Sequence, residues 1–330
     1  MSATSKLFRS AVTVLIAAAA VSCAGRKSAR HCAGSIWATT YNITYTSDRQ
    51  LDDSILSVLH AVESSLSPFA HESLISRINR NESFDTDSML RRVFLTSQHI
   101  NRLSHGAFDP TMAPLVNLWG FGYKNSGIEP TQAMIDSAMV HVGITGCRIA
   151  GGRMEKISPA TEFNFSAITK GFACDMVGEM LRRNGCEDYM VEIGGEIALS
   201  GKNPQGDSWH IQIDAPDENN GIPTHKSLTV IRITDCGIAT SGNYRNYRES
   251  ASGKSWHTID PATGRPAVTP TLSATVIAPD CMTADALATA CMVMPADSAI
   301  AMIESLPEVS ALLVSADSTG FISRRTSRFP

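Results

Sequence analysis

The stretch LSATVIA at 272–278 is an unbroken apolar run, and it reads as a buried strand. A strand of this kind has to be covered by other layers, so it constrains the fold more than any other segment. The segment after it is equally informative. Thr283 reads as the N-cap of a helix, and Asp285 and Thr289 lie four apart on that helix, on one face. A carboxylate and a hydroxyl are hard oxygen ligands, which suit Mg²⁺ better than zinc or copper. Mg²⁺ takes only one or two protein carboxylates and fills its other positions with water and phosphate oxygens. Asp285 reads as part of the first helical turn, where free N–H groups favour a phosphate. The motif can therefore hold a metal and a diphosphate together. The alternative is an acid placed there by the helix dipole alone.

The N-terminus sets the compartment. Lys6 and Arg9 precede an uncharged apolar segment at 11–21, too short for a stable membrane anchor and suited to a signal peptide. The residues Ala20-Val21-Ser22-Cys23 resemble a bacterial lipobox, with Cys23 as the lipidated first residue of the mature chain. The expected organisation is a signal peptide at 1–22, a lipidated basic tether at 23–33, one catalytic domain at 34–323 and a frayed basic tail at 324–330. This places the protein in the cell envelope, anchored to the membrane and facing the periplasm. Losing residues 1–22 removes two positive charges and no acid from a net charge of −4, leaving −6. An acidic chain argues against nucleic acid as a partner. Of eight cysteines, seven remain after Cys23, and none forms a CxxC pair, so buried free thiols are expected.

Between these ends, strands and helices mix without a βαβ rhythm, which predicts an α+β fold with mixed β-sheets flanked by helices. Strands are expected at 36–45, 188–193, 209–214 and 228–233, and helices at 52–66, 89–103, 131–142, 164–183 and 296–306. A hairpin is expected near 309–323. The segment Thr240-Ser241-Gly242 reads as a turn. The region 106–122 shows neither strand nor helix period. Its aromatic residues Trp119 and Phe121 suit either core filling or a wall for a flat ligand, with Asp109 as a hydrogen-bond partner. The segment 164–171 places small residues, hydroxyls and Lys170 at a helix start. That arrangement suits a phosphate cradle or a simple cap, and its glycine spacing is not that of a P-loop.

Taken in order, GAFDPT and PLVNLWGFG (106–122), SAITKG (166–171), EIGGE (192–196), ATSGNY (239–244), HTIDPATGRP (257–266) and TADALATA (283–290) resemble the motifs of the ApbE family, the FAD:protein FMN transferases. The resemblance spans about residues 34 to 294. It implies a ligand cleft between two lobes, with FAD as substrate and Mg²⁺ as cofactor. It implies transfer of the FMN half of FAD to a Thr or Ser hydroxyl of a target flavoprotein, with release of AMP. The family's targets are subunits of membrane redox pumps of the Rnf and sodium-pumping quinone reductase type, and related FMN-binding domains. Asp285 and Thr289 match the family's metal helix, and Ala167 matches a position that offers the metal a backbone carbonyl. Trp37, Phe69, Ala107, Phe108, Asp109, Asn164, Lys170 and Ile259 match positions that contact the flavin nucleotide. The chain departs from the family at Trp37-Ala38-Thr39, where Met-Gly-Thr is common, at Asn164, where many members have Asp, and at Ala288, where some carry a second acid.

His257 is the candidate general base, because an imidazole titrates near neutral pH. Two other activities remain open from the sequence. Water in place of the target hydroxyl makes the protein an FAD pyrophosphatase, and loss of catalysis leaves an FAD-binding lipoprotein.

Overall fold

Eight strands, taken in chain order, lie side by side in one antiparallel sheet: β1 (Ser28–Ile36), β2 (Thr39–Ser47), β3 (Tyr189–Ile193), β4 (Glu196–Ser200), β5 (Gly237–Gly242), β6 (Thr271–Ala278), β7 (Ser310–Asp317) and β8 (Gly320–Arg325). The computed structural model describes residues 28–124, 129–216, 218–219, 222–243, 247–250, 253–317 and 320–330. The expected signal peptide and Cys23 lie outside the described residues. Between neighbours β2 and β3 the chain inserts α1 (Asp52–Leu66), α2 (Leu74–Asn79), α3 (Ser88–Leu103), α4 (Ala113–Leu118), α5 (Gln132–Met139) and α6 (Ser166–Arg183). Between β6 and β7 it inserts α7 (Cys281–Val293) and α8 (Ala296–Glu304).

Helices cover one face of the sheet. α6 packs on β3 and β4, α7 packs on β5 and β6, and the two helices pack on each other. Ala239, Ala274, Val276 and Leu313 point into this main core, with Phe165, Ile168 and Phe172 of the α6 region. The opposite face carries Ile238, Ile277, Leu312 and Val314, and it is covered by an outer hairpin, Trp209–Asp214 paired with Ser227–Ile233, through Trp209, Ile211, Ile213 and Ile231. β6 is therefore buried on both faces, which is why its sequence shows no polar alternation.

The α+β class agrees with the sequence. The ladders between strands are antiparallel, and the only parallel pairing among the described residues is the isolated bridge between Met112 and Glu162. Helix α1 has the expected bounds, with Ile55, Leu59, Val62 and Leu66 buried. The seven cysteines from Cys32 to Cys291 are free thiols, and all but Cys236 are buried.

Six local expectations are corrected. Residues 28–33, assigned to a tether, belong to β1, and the strand expected at 36–45 is broken by a turn at Trp37-Ala38, which have φ of 52° and 59°. The paired positive φ values match a type I′ hairpin turn, whose twist suits antiparallel strands. Gly237–Gly242, expected to end in a turn, is strand β5 throughout, paired with β6 from Gly237↔Ala278 to Gly242↔Ser273. Within 106–122 the chain forms the short helix α4. The N-cap of α7 is Asp280, whose Oδ1 accepts from the Thr283 amide at 2.8 Å and Oδ2 from the Thr283 hydroxyl at 3.0 Å. Asp285 accordingly sits in the second turn, beyond the free N–H groups of the helix start. Finally, the C-terminal tail is not frayed. Arg324 and Arg325 lie in β8, Thr326 and Phe329 are buried, and Arg328 donates to the carbonyls of Glu304 and Leu306 at 2.9 and 2.8 Å, closing the end of α8.

Candidate active site

Gly171, in the second turn of α6, donates its amide to Asp285 Oδ2 at 3.0 Å. The contact is possible because the helices almost touch there: a Cβ built on Gly171 lies 2.3 Å from the Cys281 carbonyl oxygen and 2.8 Å from the Asp285 Cβ. In an α-helix the amide of residue 171 points at the carbonyl of residue 167. The Asp285 carboxylate thus lies against the turn of α6 that runs from Ala167 to Gly171. Asp285 is 2% exposed.

A second carboxylate joins α6 to the start of α7. Asp175, one turn further along α6, accepts from the amides of Cys281 and Met282 at 2.9 and 2.8 Å. These are two of the amides that a helix start leaves unpaired. Burial, reinforced by the neighbouring Asp280 charge, lifts the Asp175 carboxyl to about 7 despite these two bonds. Asp175 therefore fixes α7 against α6 and so fixes Asp285 against Gly171.

Thr289 Oγ1 lies 3.4 Å from Ser241 Oγ, so the second metal-ligand candidate faces the end of β5. Two residues on, Asn243 Oδ1 accepts from the Thr258 hydroxyl at 3.0 Å, which docks the loop carrying His257 at the same end of the strand. The His257 ring meets Phe121 edge-on, with centroids 6.4 Å apart and an interplanar angle of 69°.

Lys170 leans along the turn between β3 and β4, where Gly194 has a φ of 63° and a built Cβ lies 3.4 Å from Lys170 Cδ and 2.8 Å from Thr39 Oγ1. Its ammonium is 2.6 Å from Glu196 Oε2, although off the direction of a good hydrogen bond. Glu196 is 3% exposed. Burial opposes the Lys170 cation, but the Glu196 and Asp285 carboxylates outweigh it and raise its pKa, so it stays protonated. One ammonium thus serves two buried carboxylates, and burial raises both carboxyls.

The remaining expected residues divide into two groups. Trp37 packs on the main core from the β1–β2 turn, and its indole Nε1 is buried without a partner. That turn and the Gly194 turn meet at Thr39, which puts Trp37 beside the Lys170 region. Asn164 Oδ1 accepts from the Ser166 amide at 2.9 Å, and the Asn164 backbone N–H donates to the Pro110 carbonyl at 2.7 Å, which joins the start of α6 to the 107–110 loop. In that loop Phe108 is buried and Ala107 packs beside it. Asp109 is committed internally: Oδ1 accepts from the amide and hydroxyl of Thr111 at 2.8 and 2.6 Å, and Oδ2 accepts from the Ile144 amide at 3.0 Å. Further out, Phe69 is 63% exposed and stacks edge-on against Tyr123. Ile259 is buried in a small separate cluster with Met112, Leu115 and Ile135. Trp119 and Phe121 pack on the same cluster, and Trp119 Nε1 donates to the Gly264 carbonyl at 2.8 Å, so here they fill space between α4 and the 257–266 loop.

Sequence reasoning misses Glu196 and Ser241 as partners of Lys170 and Thr289. Both stand inside the motifs EIGGE and ATSGNY, but only the folded sheet brings them to the helices. An open depression of about 540 Å³ lined by Asn117, Lys124, Met134, His141 and Glu162 lies elsewhere and contains none of the expected ligands.

The oxygen set of Asp285, Thr289 and the Ala167 carbonyl fits Mg²⁺ by chemistry, with one carboxylate and two neutral oxygens. Among the described residues no group of three or more His, Cys, Asp or Glu gathers as a zinc or copper site would.

Comparison with known proteins gives the family. Residues 37–313 match the model of the ApbE family. An FAD:protein FMN transferase of Vibrio cholerae is 36% identical over 309 residues, 91% of this chain and 91% of the relative. One from Haemophilus influenzae is 32% identical over 340 aligned residues, 98% of this chain and 97% of the relative. The solved structure of flavin transferase ApbE from Vibrio cholerae superimposes with a TM-score of 0.81 at 35% identity, covering 92% of this chain and 98% of that one. The chain belongs to the ApbE family.

Proposed function

We propose that this protein transfers the FMN half of FAD to a Thr or Ser hydroxyl of a target flavoprotein and releases AMP, with Mg²⁺ as the metal. FAD:protein FMN transferase is the activity for which its relatives are named. The observation that carries the metal assignment is the hydrogen bond from the Gly171 amide to Asp285 at 3.0 Å, which sets the carboxylate against the start of α6, where Ala167 lies. Charge supports it as well. A site with one ammonium facing two buried carboxylates lacks the positive charge that a diphosphate needs.

Asp285, Thr289 and the Ala167 carbonyl would hold Mg²⁺, which when bound neutralises charge on the diphosphate. The protein's own groups do the rest. The Gly171 amide aims the Asp285 carboxylate. Lys170 presents an ammonium to the phosphates. His257 accepts the proton of the target hydroxyl, whose oxygen forms a new bond to the FMN-side phosphorus while the bond from that phosphorus to the AMP oxygen breaks. Most of the rate then comes from positioning and fixed charge.

The apolar segment 11–21 and Ser22-Cys23 support an envelope location, with the chain anchored through a lipid on Cys23. Among the described residues no helix is long and apolar enough to cross a membrane. Flavin-bearing subunits of membrane redox complexes are the targets this location favours.

The test is to incubate the protein with FAD, Mg²⁺ and an FMN-binding target domain and to weigh the target. Gain of one FMN phosphoester with an equal amount of AMP supports the transferase. Free FMN with an unmodified target overturns it in favour of a pyrophosphatase.

A further inference from the structure

Lys170 has two acidic neighbours, and the fold assigns it to one of them. Its ammonium sits 2.6 Å from Glu196, while Asp285 is its other electrostatic partner. Sequence position alone favours the opposite outcome, because the very next residue, Gly171, holds the Asp285 carboxylate. Two features keep the ammonium on Glu196. The Gly194 turn packs on the Lys170 stem. Glu196 itself is locked to α6 one turn further along, where its carbonyl accepts from Cys174 Sγ at 3.3 Å.

We propose that Glu196 is a positioning residue that keeps Lys170 off Asp285, and so leaves the Asp285 carboxylate open to a divalent cation. The inference rests on the metal reading above. A lysine that pairs with the sole carboxylate ligand of a metal site competes with the metal for the same oxygens. Glu196 removes that competition by holding the ammonium nearby, where it still faces a phosphate. In Glu196→Gln, the ammonium loses its charged partner and turns to Asp285, and metal affinity falls. Removing the ammonium as well, in Glu196→Gln/Lys170→Gln, frees Asp285 again.

The probe is Mn²⁺ alone, titrated into the full chain without FAD and followed by electron paramagnetic resonance, with circular dichroism to confirm that each variant folds. Partners of metal ligands typically alter metal affinity by about 10–100-fold, and Glu196→Gln is expected to weaken Mn²⁺ by about tenfold at the low end of that range. The double variant is expected to return to near the wild-type affinity. In steady-state assays, Glu196→Gln should recover kcat as Mg²⁺ is raised, which a merely structural defect would not do. A Glu196→Gln variant that binds Mn²⁺ like the wild type, or a double variant as weak as the single one, overturns the proposal. Asp285→Ala serves as the separate control. Wild-type binding that survives in Asp285→Ala refutes the metal site itself, whereas its loss there with unchanged binding in Glu196→Gln refutes only the role of Glu196.

Discussion

The amide of Gly171 and the carboxylate of Asp285 are joined at 3.0 Å across two helices that touch backbone to side chain. Glycine in a helix interior normally costs about 1 kcal/mol relative to alanine, so its presence here needs a reason. The reason is space, since a methyl group would meet the Cys281 carbonyl and the Asp285 side chain. Gly171→Ala is therefore expected to destabilise rather than stabilise, by about 1–3 kcal/mol as for other overpacked sites, and to weaken metal binding. Urea unfolding checks the first effect and a Mn²⁺ titration the second. A variant more stable than the wild type contradicts the close contact.

The β1–β2 turn offers the opposite case. Ala38 has φ of 59°, a left-handed conformation that costs an L-residue about 1–2 kcal/mol and glycine nothing. Ala38→Gly should raise stability by up to about 1 kcal/mol after the entropy that glycine gains in the unfolded chain is offset. Thermal unfolding measures it, and a fall in Tm counts against the strained turn.

Asp175 makes stability depend on pH. Its carboxyl is raised to about 7, above the usual carboxylate range, so the folded state holds a proton that the unfolded state releases. The stabilisation this proton brings is complete below the unfolded value near 4 and is lost as pH rises through about 7. Wild-type protein should lose stability from this group between pH 5 and pH 8, while Asp175→Asn, which does not titrate, should lose less over the same interval. Urea unfolding at the two pH values decides it. Equal losses in both proteins would refute the assignment.

How much of the fold is legible in the sequence depends on where each element draws its stability. Helix α1 is legible to the residue because Ile55, Leu59, Val62 and Leu66 repeat at helical spacing and face one core. β6 is legible because both its faces are covered. β5 is not, since Thr240, Ser241 and Gly242 carry turn chemistry and become strand only through pairing with β6. β1 is hidden for a similar reason: Ser28–Ile36 is small and polar, and its order comes from the nine-residue register with β2. At the site, Asp285, Thr289 and Lys170 are visible as motif residues. Glu196 and Ser241, which touch two of them, are not, because a carboxylate after a glycine turn has no periodic signature. The cap of α7 falls three residues before the expected Thr283 because Asp280 and Thr283 are both good capping residues, and Asp280 takes the role with Thr283 as its donor.

His257 gives a prediction about rate rather than stability. As the proposed acceptor of the target hydroxyl's proton, it makes the attacking oxygen a better nucleophile. His257→Gln should lower kcat by about 10²-fold or more while leaving Mn²⁺ binding near the wild-type level. Single-turnover flavin transfer and a Mn²⁺ titration test the two halves. A variant that keeps the wild-type rate places the base elsewhere.

On the proposed function, one contact between α6 and α7 builds a divalent-cation site for splitting FAD onto a protein hydroxyl. The most direct measurement is to quantify target-bound flavin and released AMP together, over a Mg²⁺ titration, for the wild type and Asp285→Ala. Equal amounts of flavin adduct and AMP are expected, rising with Mg²⁺ in the wild type and vanishing in the variant at every concentration. Undiminished transfer by Asp285→Ala, or transfer independent of Mg²⁺ in the wild type, would contradict it.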